Sequence, residues 1–194
     1  QRDLKRMLAY SSIEHMGILT IGLGIGTPAL FGTLLHIIAN GLTKGVLFLS
    51  VGNIHRAFGS KNIDQVRGAL RLMPVSGALF LISFLAITGS PPFVPFVSIF
   101  SILNGAFEAG KYTTAGLFLI FLLLVFIGMG APILKALQGS SPVPDKEKMI
   151  YRDTFASYLP IIGLMILVFL FGVYIPSPLS ELLNDAVGYL GGQP

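Results

Sequence analysis

Residues 27–55, TPALFGTLLHIIANGLTKGVLFLSVGNIH, form a long apolar segment with a single fixed charge, Lys44, in its interior. If the segment is a membrane-spanning helix, Lys44 lies about 16 Å from His55, near the middle of a hydrocarbon core about 30 Å thick. A lysine at that depth costs about 2.5–3.5 kcal/mol, so we expect it to face a bundle interior or a water-filled cavity. The alternative is a lone lysine whose long side chain reaches the membrane interface.

Two further polar residues share a helix face with this lysine. His36, Asn40 and Lys44 follow one another at successive i, i+4 steps, which stacks them on one side of an α-helix. Ionisable groups inside a membrane span mark proton or ion pathways more often than structural contacts. The sequence therefore indicates an ion path along this face.

The composition excludes an ordinary soluble domain. Of 194 residues, 53% are hydrophobic and only 11% are charged, whereas about a quarter are charged in soluble domains. With no cysteine there are no disulfides and no thiolate-bound metal centres. His15, His36 and His55 show no metal-ligand spacing, so we expect no metal and no cofactor in this chain. Basic residues lie in short loops between apolar spans, which argues against a nucleic-acid partner.

The apolar segments predict an all-α polytopic membrane protein with about five transmembrane helices, followed by an amphipathic helix. The expected spans are Met7 to about Gly26, residues 27–55, a discontinuous span of 74–88 and 94–107, Thr113 to about Leu134, and Phe155 to Ile175. The run GLFLIFLLLVFIG in the fourth span is uniformly apolar, so we expect it to face lipid. In the tail, Ser177 is the expected N-cap, with Pro178 at the first helical position.

A break divides the third span. No charged residue occurs between Leu72 and Phe107, a stretch longer than one span and too short for two spans with a loop. Gly89, Ser90, Pro91 and Pro92 interrupt it, and the paired prolines remove backbone donors. We expect a discontinuous helix of the kind that transporters use, the alternative being a re-entrant or merely kinked helix.

Glu14 is a second ionisable group within a span. It lies in the first half of the first predicted helix, among other polar residues. We expect its carboxylate to face a neighbouring helix rather than lipid. Alternatively, Glu14 is shallow enough to reach water at the headgroups.

The distribution of charge predicts an orientation. Of the thirteen Lys and Arg, the five-span arrangement places eleven at one end, Lys111 at the other and Lys44 within the membrane. This bias predicts that the N-terminus and both basic loops are cytoplasmic. The opening QRDLKRMLAYSS has no initiator Met, so we expect the chain to be part of a longer protein.

Three motifs carry a resemblance to a known family: DLKRMLAYSSIEHMG at residues 3–17, the HxxxNxxxK helix, and the GSPPF break. Together they resemble the antiporter-like proton-pumping subunits of respiratory complex I. They resemble still more closely the related membrane subunits of energy-converting hydrogenases and formate hydrogenlyase. The resemblance covers residues 3 to about 139 and implies the C-terminal portion of an inverted-repeat transporter bundle with a hydrophilic axis.

The resemblance also implies roles for individual residues. Lys44 matches the lysine of the hydrophilic axis and His36 its histidine, while Asp3 and Lys5 match the DLK motif that precedes the first span. Asn40 stands where some complex I subunits carry a second histidine. Ile99 stands where most relatives have Glu or Lys, which puts the last proton site of the axis in doubt.

The function implied is H⁺ or Na⁺ translocation in a redox-driven complex of a prokaryotic plasma membrane. This chain would perform no redox chemistry, and its partners would be other membrane subunits and a peripheral hydrogenase or quinone module. One alternative is a subunit of a multisubunit Na⁺/H⁺ antiporter, and another is a structural remnant that no longer pumps.

The expected organisation has four parts. Residues 1–139 would be the latter part of the ion-translocating module, 140–153 a solvated loop, 154–176 the final span and 177–194 the amphipathic tail.

Overall fold

The chain folds as a bundle of α-helices. The computed structural model describes residues 2–139, 151 and 153–192, and within these ranges it contains eight helices and one isolated bridge, Asp3 with Asn62. The helices are α1 (Leu4–Ile25), α2 (Thr27–Phe58), α3 (Ala69–Leu72), α4 (Pro74–Ile87), α5 (Val94–Glu108), α6 (Tyr112–Gln138), α7 (Phe155–Val173) and α8 (Ser177–Leu190). In the described part of the chain, α1, α2, α6 and α7 are long and apolar enough to cross a membrane, and α4 and α5 are shorter apolar helices. The predicted all-α membrane fold is therefore confirmed.

Helices α1 and α2 form a hairpin that turns at a single residue. Gly26 has φ 99°, a conformation that glycine adopts without steric cost. Pro28 then lies in the first turn of α2, where its missing N–H is not needed. At the other end, Asp3 caps α1 by accepting a hydrogen bond from the amide of Arg6 at 3.1 Å. This cap explains why α1 begins at Leu4, three residues before the predicted start.

The discontinuous span has the predicted halves, α4 and α5. The amide of Gly89 bonds to Ala86 O at 3.1 Å and that of Ser90 to Leu85 O at 3.0 Å, which closes the last turn of α4. Gly89 has φ 81°, and Pro91 and Pro92 follow without amide donors. The chain then resumes as α5, the second half of the span.

Glycines allow α2 and α5 to approach at backbone distance. A Cβ on Gly32 would lie 2.7 Å from Cβ of Ser101 and 2.8 Å from the amide nitrogen of Ile102. A Cβ on Gly105 would lie 2.6 Å from the carbonyl carbon of Pro28. Only glycine fits at these two crossings, so the second half of the broken helix lies directly against α2.

The last span packs against the end of the break. A Cβ on Gly172 of α7 would collide with Pro92 O and with the backbone of Phe93 and Val94. Helix α7 also packs on α2 through a cluster that includes Val46, Ile161 and Val168. Helix α7 therefore packs against the end of the break, while Pro91 and Pro92 are exposed.

Contacts at the helix ends fix which loops lie together. At one end Lys61 pairs with Asp3 at 3.4 Å and Lys135 with Asp64 at 2.6 Å. At the opposite end Lys111 Nζ donates to Gly24 O at 2.7 Å, and the tail helix α8 packs beside the start of α2. The grouping of the described parts of 56–72 and 135–153 at one end, with Lys111 and the tail at the other, agrees with the sequence prediction.

Several boundaries differ from the predicted ones. Helix α2 continues to Phe58, where Gly59 ends it with φ 65°, and α6 continues to Gln138 because Ala136 and Leu137 are buried in a core cluster. Helix α8 starts at Ser177 itself, with Pro176 as its N-cap and no side-chain cap, so the predicted Ser177 cap is wrong. The predicted solvated loop, 140–153, lies outside the described residues except for 151 and 153.

Candidate functional site

Two buried histidines meet at the centre of the α1–α2 hairpin. Nδ1 of His15 and Nε2 of His36 are 2.9 Å apart, and the two residues are 1% and 0% exposed. The hairpin explains the pairing, since the two residues lie at nearly equal distances along the chain from the turn at Gly26. Two titratable rings thus share a hydrogen bond in the bundle interior.

Ser98 extends this pair to the broken helix. Its Oγ lies 2.8 Å from Nδ1 of His36 and donates to Pro95 O at 3.0 Å. In the tautomer that protonates His36 at Nδ1, this nitrogen donates to Ser98 Oγ, and Nε2 accepts from the Nδ1–H of His15. These contacts form a chain of hydrogen bonds from α1 through α2 to the first turns of α5, which we call the His15–His36–Ser98 chain.

Lys44 lies two turns beyond His36 on the same helix. It is half-buried, and its charge interacts with Glu14 on α1 and with both histidines. The three ion pairs among the described residues involve other groups at the helix ends, so Lys44 and Glu14 are not in direct contact. Lys44 therefore lies on the predicted polar face of α2, but the surrounding helices bury it only in part.

Asn40 occupies the turn between His36 and Lys44. It is 8% exposed, and its Oδ1 is buried with no hydrogen-bond donor in the described part of the chain. Leaving a buried carbonyl oxygen unpaired costs about 1–3 kcal/mol. Asn40 therefore presents an acceptor that the surrounding protein does not use.

Glu14 lies near the middle of α1 and faces α6. It lies about 15 Å along α1 from Leu4, which places it near the middle of the helix rather than at the headgroups. The residue is half-buried in a cleft of about 280 Å³ between α1 and α6, whose other lining residues are Met7, Tyr10, Ser11, Val125, Gly128 and Met129. This position agrees with the expected contact with a neighbouring helix and argues against the shallow alternative.

Asp3 and Lys5 lie away from these residues. Asp3 caps α1 and pairs with Lys61, whereas Lys5 is exposed at the same helix end. Slight burial acts to raise the pKa of Asp3, but the Arg6 amide and the Lys61 ammonium outweigh it and hold that pKa below its usual range. In this structure Asp3 stabilises the start of α1.

Ile99, which follows Ser98 in α5, lies in an apolar cluster. Ile99 is 7% exposed and belongs to a cluster with Ile18, Ile25, Ala29, Ile102, Ala106, Ala115 and Phe118. Its Cδ1 lies 3.0 Å from where a Cβ would stand on Gly89, so the side chain also fills the space beside the break. No group in this cluster can bind a proton.

A second polar cluster lies at the other end of α2. Nδ2 of Asn53 donates to Ser76 Oγ at 3.2 Å and to Ser157 O at 3.3 Å. The carboxylate of Asp153 accepts from the amide and the hydroxyl of Ser76, and so caps α4 from the segment that precedes α7. These contacts hold α2, α4 and α7 together at this end.

Sequence reasoning missed His15 and Ser98 as site residues. The turn at GLGIGTP was a usable signal for His15, because an antiparallel hairpin pairs residues that are equally distant from its turn. Ser98 gave no comparable signal, since its contact depends on the crossing of α2 and α5. No group of three or more His, Asp or Glu that could hold a metal occurs among residues 2–139, 151 and 153–192.

The fold and this site define a polytopic helical membrane protein in which two histidines and a serine form a hydrogen-bonded chain that ends on a broken helix. The profile of the family described as "NADH:quinone oxidoreductase/Mrp antiporter, TM" matches residues 1–128. The chain belongs to this family.

Individual relatives agree with this assignment. The chain is 37% identical over 182 residues to a protein named "Hydrogenase-4 component F homolog" from Methylacidiphilum infernorum, covering 93% of this chain and 37% of that protein. It is 31% identical to NADH-quinone oxidoreductase subunit N from Desulforudis audaxviator, covering 96% and 40%. The chain thus spans about two-fifths of the length of these relatives.

A solved structure shows the same arrangement of helices. A chain of respiratory complex I from Thermus thermophilus superposes with a TM-score of 0.84 at 27% identity, covering 99% of this chain and 40% of that chain. The predicted resemblance to antiporter-like membrane subunits is therefore confirmed.

Proposed function

We propose that this chain forms the latter part of a membrane subunit that translocates H⁺ or Na⁺ in a redox-driven complex of the complex I or hydrogenase type. The observation that carries the proposal is the His15–His36–Ser98 chain, which connects three helices inside the bundle. Buried histidines that share a hydrogen bond can pass a proton by exchanging donor and acceptor roles.

Each residue of the α2 face has a distinct role in this proposal. Lys44 is a transient proton carrier, because an amine can release its proton whereas a guanidinium cannot. His36 is the relay between Lys44 and the broken helix. The free Oδ1 of Asn40 accepts from a water molecule that bridges the turn between them.

Residues outside α2 complete the path. Glu14 exchanges a proton with Lys44 across the hairpin, and the break at Gly89 to Pro92 supplies helix dipole ends and hydration near Ser98. Asp3 and Lys5, which match the family motif, act at the helix end where ions enter or where the subunit meets its neighbours.

The proposal also covers organisation and setting. Residues 1–139 form the translocating module and 154–176 the final span, with the tail at 177–194 lying beside it. The subunit lies in a prokaryotic plasma membrane with its basic end in the cytoplasm. Redox groups reside in partner subunits, a hydrogenase or quinone module, and this chain binds no cofactor.

Two alternatives have specific support. The family includes Mrp antiporter subunits, so a gradient-driven Na⁺/H⁺ antiporter uses the same module. A structural remnant that no longer pumps is favoured by Ile99, which places an apolar cluster beyond the histidines. Co-purifying redox subunits would distinguish the first alternative from a redox-driven pump.

The test uses Lys44→Met in the assembled complex in sealed vesicles. We expect ion translocation to fall at least tenfold while electron transfer to an artificial acceptor continues, since the substitution keeps packing volume and removes the titratable group. Lys44→Arg should also fail, because guanidinium keeps its proton. The matched control is Lys111→Met, near the turn between α1 and α2, and we expect this variant to translocate ions normally.

Normal translocation by Lys44→Met would contradict the proposal. Wild-type protein that transfers electrons without moving ions would establish the structural remnant instead.

A further inference from the structure

A surface pocket lies at the basic end of the bundle, between the start of the chain and the end of α6. Its volume is about 330 Å³, and its lining residues are Arg2, Ile63, Asp64, Ala131, Pro132 and Lys135. One wall is charged and the other is apolar. The pocket is separate from the His15–His36–Ser98 chain.

Positive charge exceeds negative charge around this pocket. Asp64 accepts from Lys135 Nζ at 2.6 Å and from Arg67 at 3.3 Å, and Arg2 also interacts with it electrostatically. Hydrogen bonds from Lys135 and Arg67 hold the pKa of Asp64 below its usual range, so it is ionised at neutral pH. Three cations around one carboxylate leave a formal excess of two positive charges, and the nearby Asp3 is already paired with Lys61.

The apolar wall continues into the exposed surface of α6. Ala131 and Pro132 lie one helix turn before Lys135, and Ile127 and Leu134 on the same helix are 59% and 41% exposed. A surface of this kind faces acyl chains in a membrane. The charged wall therefore stands at the level of the headgroups directly above a lipid-facing helix.

We propose that this pocket binds the phosphodiester headgroup of an anionic phospholipid, with an acyl chain lying along α6. Basic pockets between transmembrane helices at the cytoplasmic side recognise such headgroups. The adjoining apolar wall favours a lipid over a soluble anion, because a soluble anion has no acyl chain to pack against that wall. It also favours a lipid over an acidic protein segment, which would leave that wall exposed.

Native mass spectrometry of the purified protein, titrated with phosphatidylglycerol or phosphatidylcholine, measures the binding. We expect retention of phosphatidylglycerol over phosphatidylcholine, and a loss of about fivefold in apparent affinity for Arg2→Gln or Lys135→Gln. The matched control is Arg71→Gln, which removes one exposed charge at the same end outside the pocket. Its affinity should equal that of the wild type.

Asp64→Asn separates a lipid site from a structural network. Removal of the carboxylate breaks two ion pairs but frees their cations, so the lipid proposal expects tighter binding of phosphatidylglycerol. Arg2 is not part of the Asp64–Lys135 pair, so Arg2→Gln tests the site without breaking that pair.

Three results would overturn the proposal. Equal losses in Arg2→Gln and Arg71→Gln would indicate general attraction to a basic surface. Displacement of the lipid by excess inorganic phosphate alone would identify a free-anion site. Weaker binding in Asp64→Asn would assign the cluster a purely structural role.

Discussion

Helices α2 and α6 both run the length of the bundle, but only α2 buries polar side chains in addition to apolar ones. Helix α2 has 32 residues, and its buried polar ones are Thr33, His36, Asn40, Thr43, Ser50 and Asn53. Helix α6 has 27 residues, and those it buries are Ala115, Phe118, Met129, Gly130, Ile133, Ala136 and Leu137. One helix turns its polar groups inward, and the other exposes apolar side chains such as Leu119 and Ile127.

The difference follows from the cost of burying polar groups. A polar side chain without a partner is expensive in an apolar interior, so a helix buries many of them only where most find hydrogen bonds. On α2, His36 bonds to side chains of α1 and α5, and Asn53 bonds to α4 and α7. Thr33 and Thr43 bond to carbonyls of α2 itself, while Asn40 Oδ1 and Ser50 Oγ have no partner in the described part of the chain. Helix α6 lies at the outside of the described bundle and has no such need. Burial of polar groups therefore distinguishes α2 from α6, which is also the more apolar of the two helices.

The largest predicted effect concerns the close approach of α2 and α5. Gly32→Ala places a methyl group within 2.7–2.9 Å of Ser101 Cβ, Ile102 N and Ser98 O. We expect a loss of about 3 kcal/mol in stability or failure to assemble, because backbone atoms cannot move aside easily. Thermal unfolding and size-exclusion chromatography in detergent measure this.

Gly116→Ala on α6 is the matched control. Nothing lies within 4 Å of its added methyl group, so we expect a change within about 0.5 kcal/mol. Equal stability of both variants would show that α2 and α5 are not packed as closely as described.

A smaller effect is expected for Ile99→Glu. If ions leave the histidines through Ser98 and the break, a carboxylate in the apolar cluster does not raise the number of ions moved per electron pair. It should lower the melting temperature, since a charge is buried among apolar side chains. Ion stoichiometry in vesicles and thermal unfolding are the measurements, with Ile99→Val as the conservative control. A rise in stoichiometry would mean that the native chain is a pump disabled at this position.

Much of the fold could be predicted because its signals are local. Paired prolines marked the break between α4 and α5, and the i, i+4 spacing from His36 to Lys44 marked the polar face. Helix ends were less predictable, since Asp3 as a cap and Leu137 in the core depend on tertiary contacts.

The site was only half predictable. His36 and Asn40 were recognised from one helix, but the partner of His36 on α1 depends on the register of the hairpin. Ser98 required the crossing that Gly32 and Gly105 permit. The apolar surroundings of Ile99 could not be derived from its neighbours in sequence, because they come from four helices.

The most direct test of the central claim compares Ser98→Ala with Ser83→Ala in the assembled complex. Both serines are fully buried, but the hydroxyl of Ser83 donates to Phe80 O in its own helix, whereas Ser98 contacts His36. Proton translocation in sealed vesicles, normalised to electron transfer, should fall at least fivefold in Ser98→Ala and remain unchanged in Ser83→Ala. Unchanged translocation in Ser98→Ala would contradict the claim that the His15–His36–Ser98 chain carries the ion.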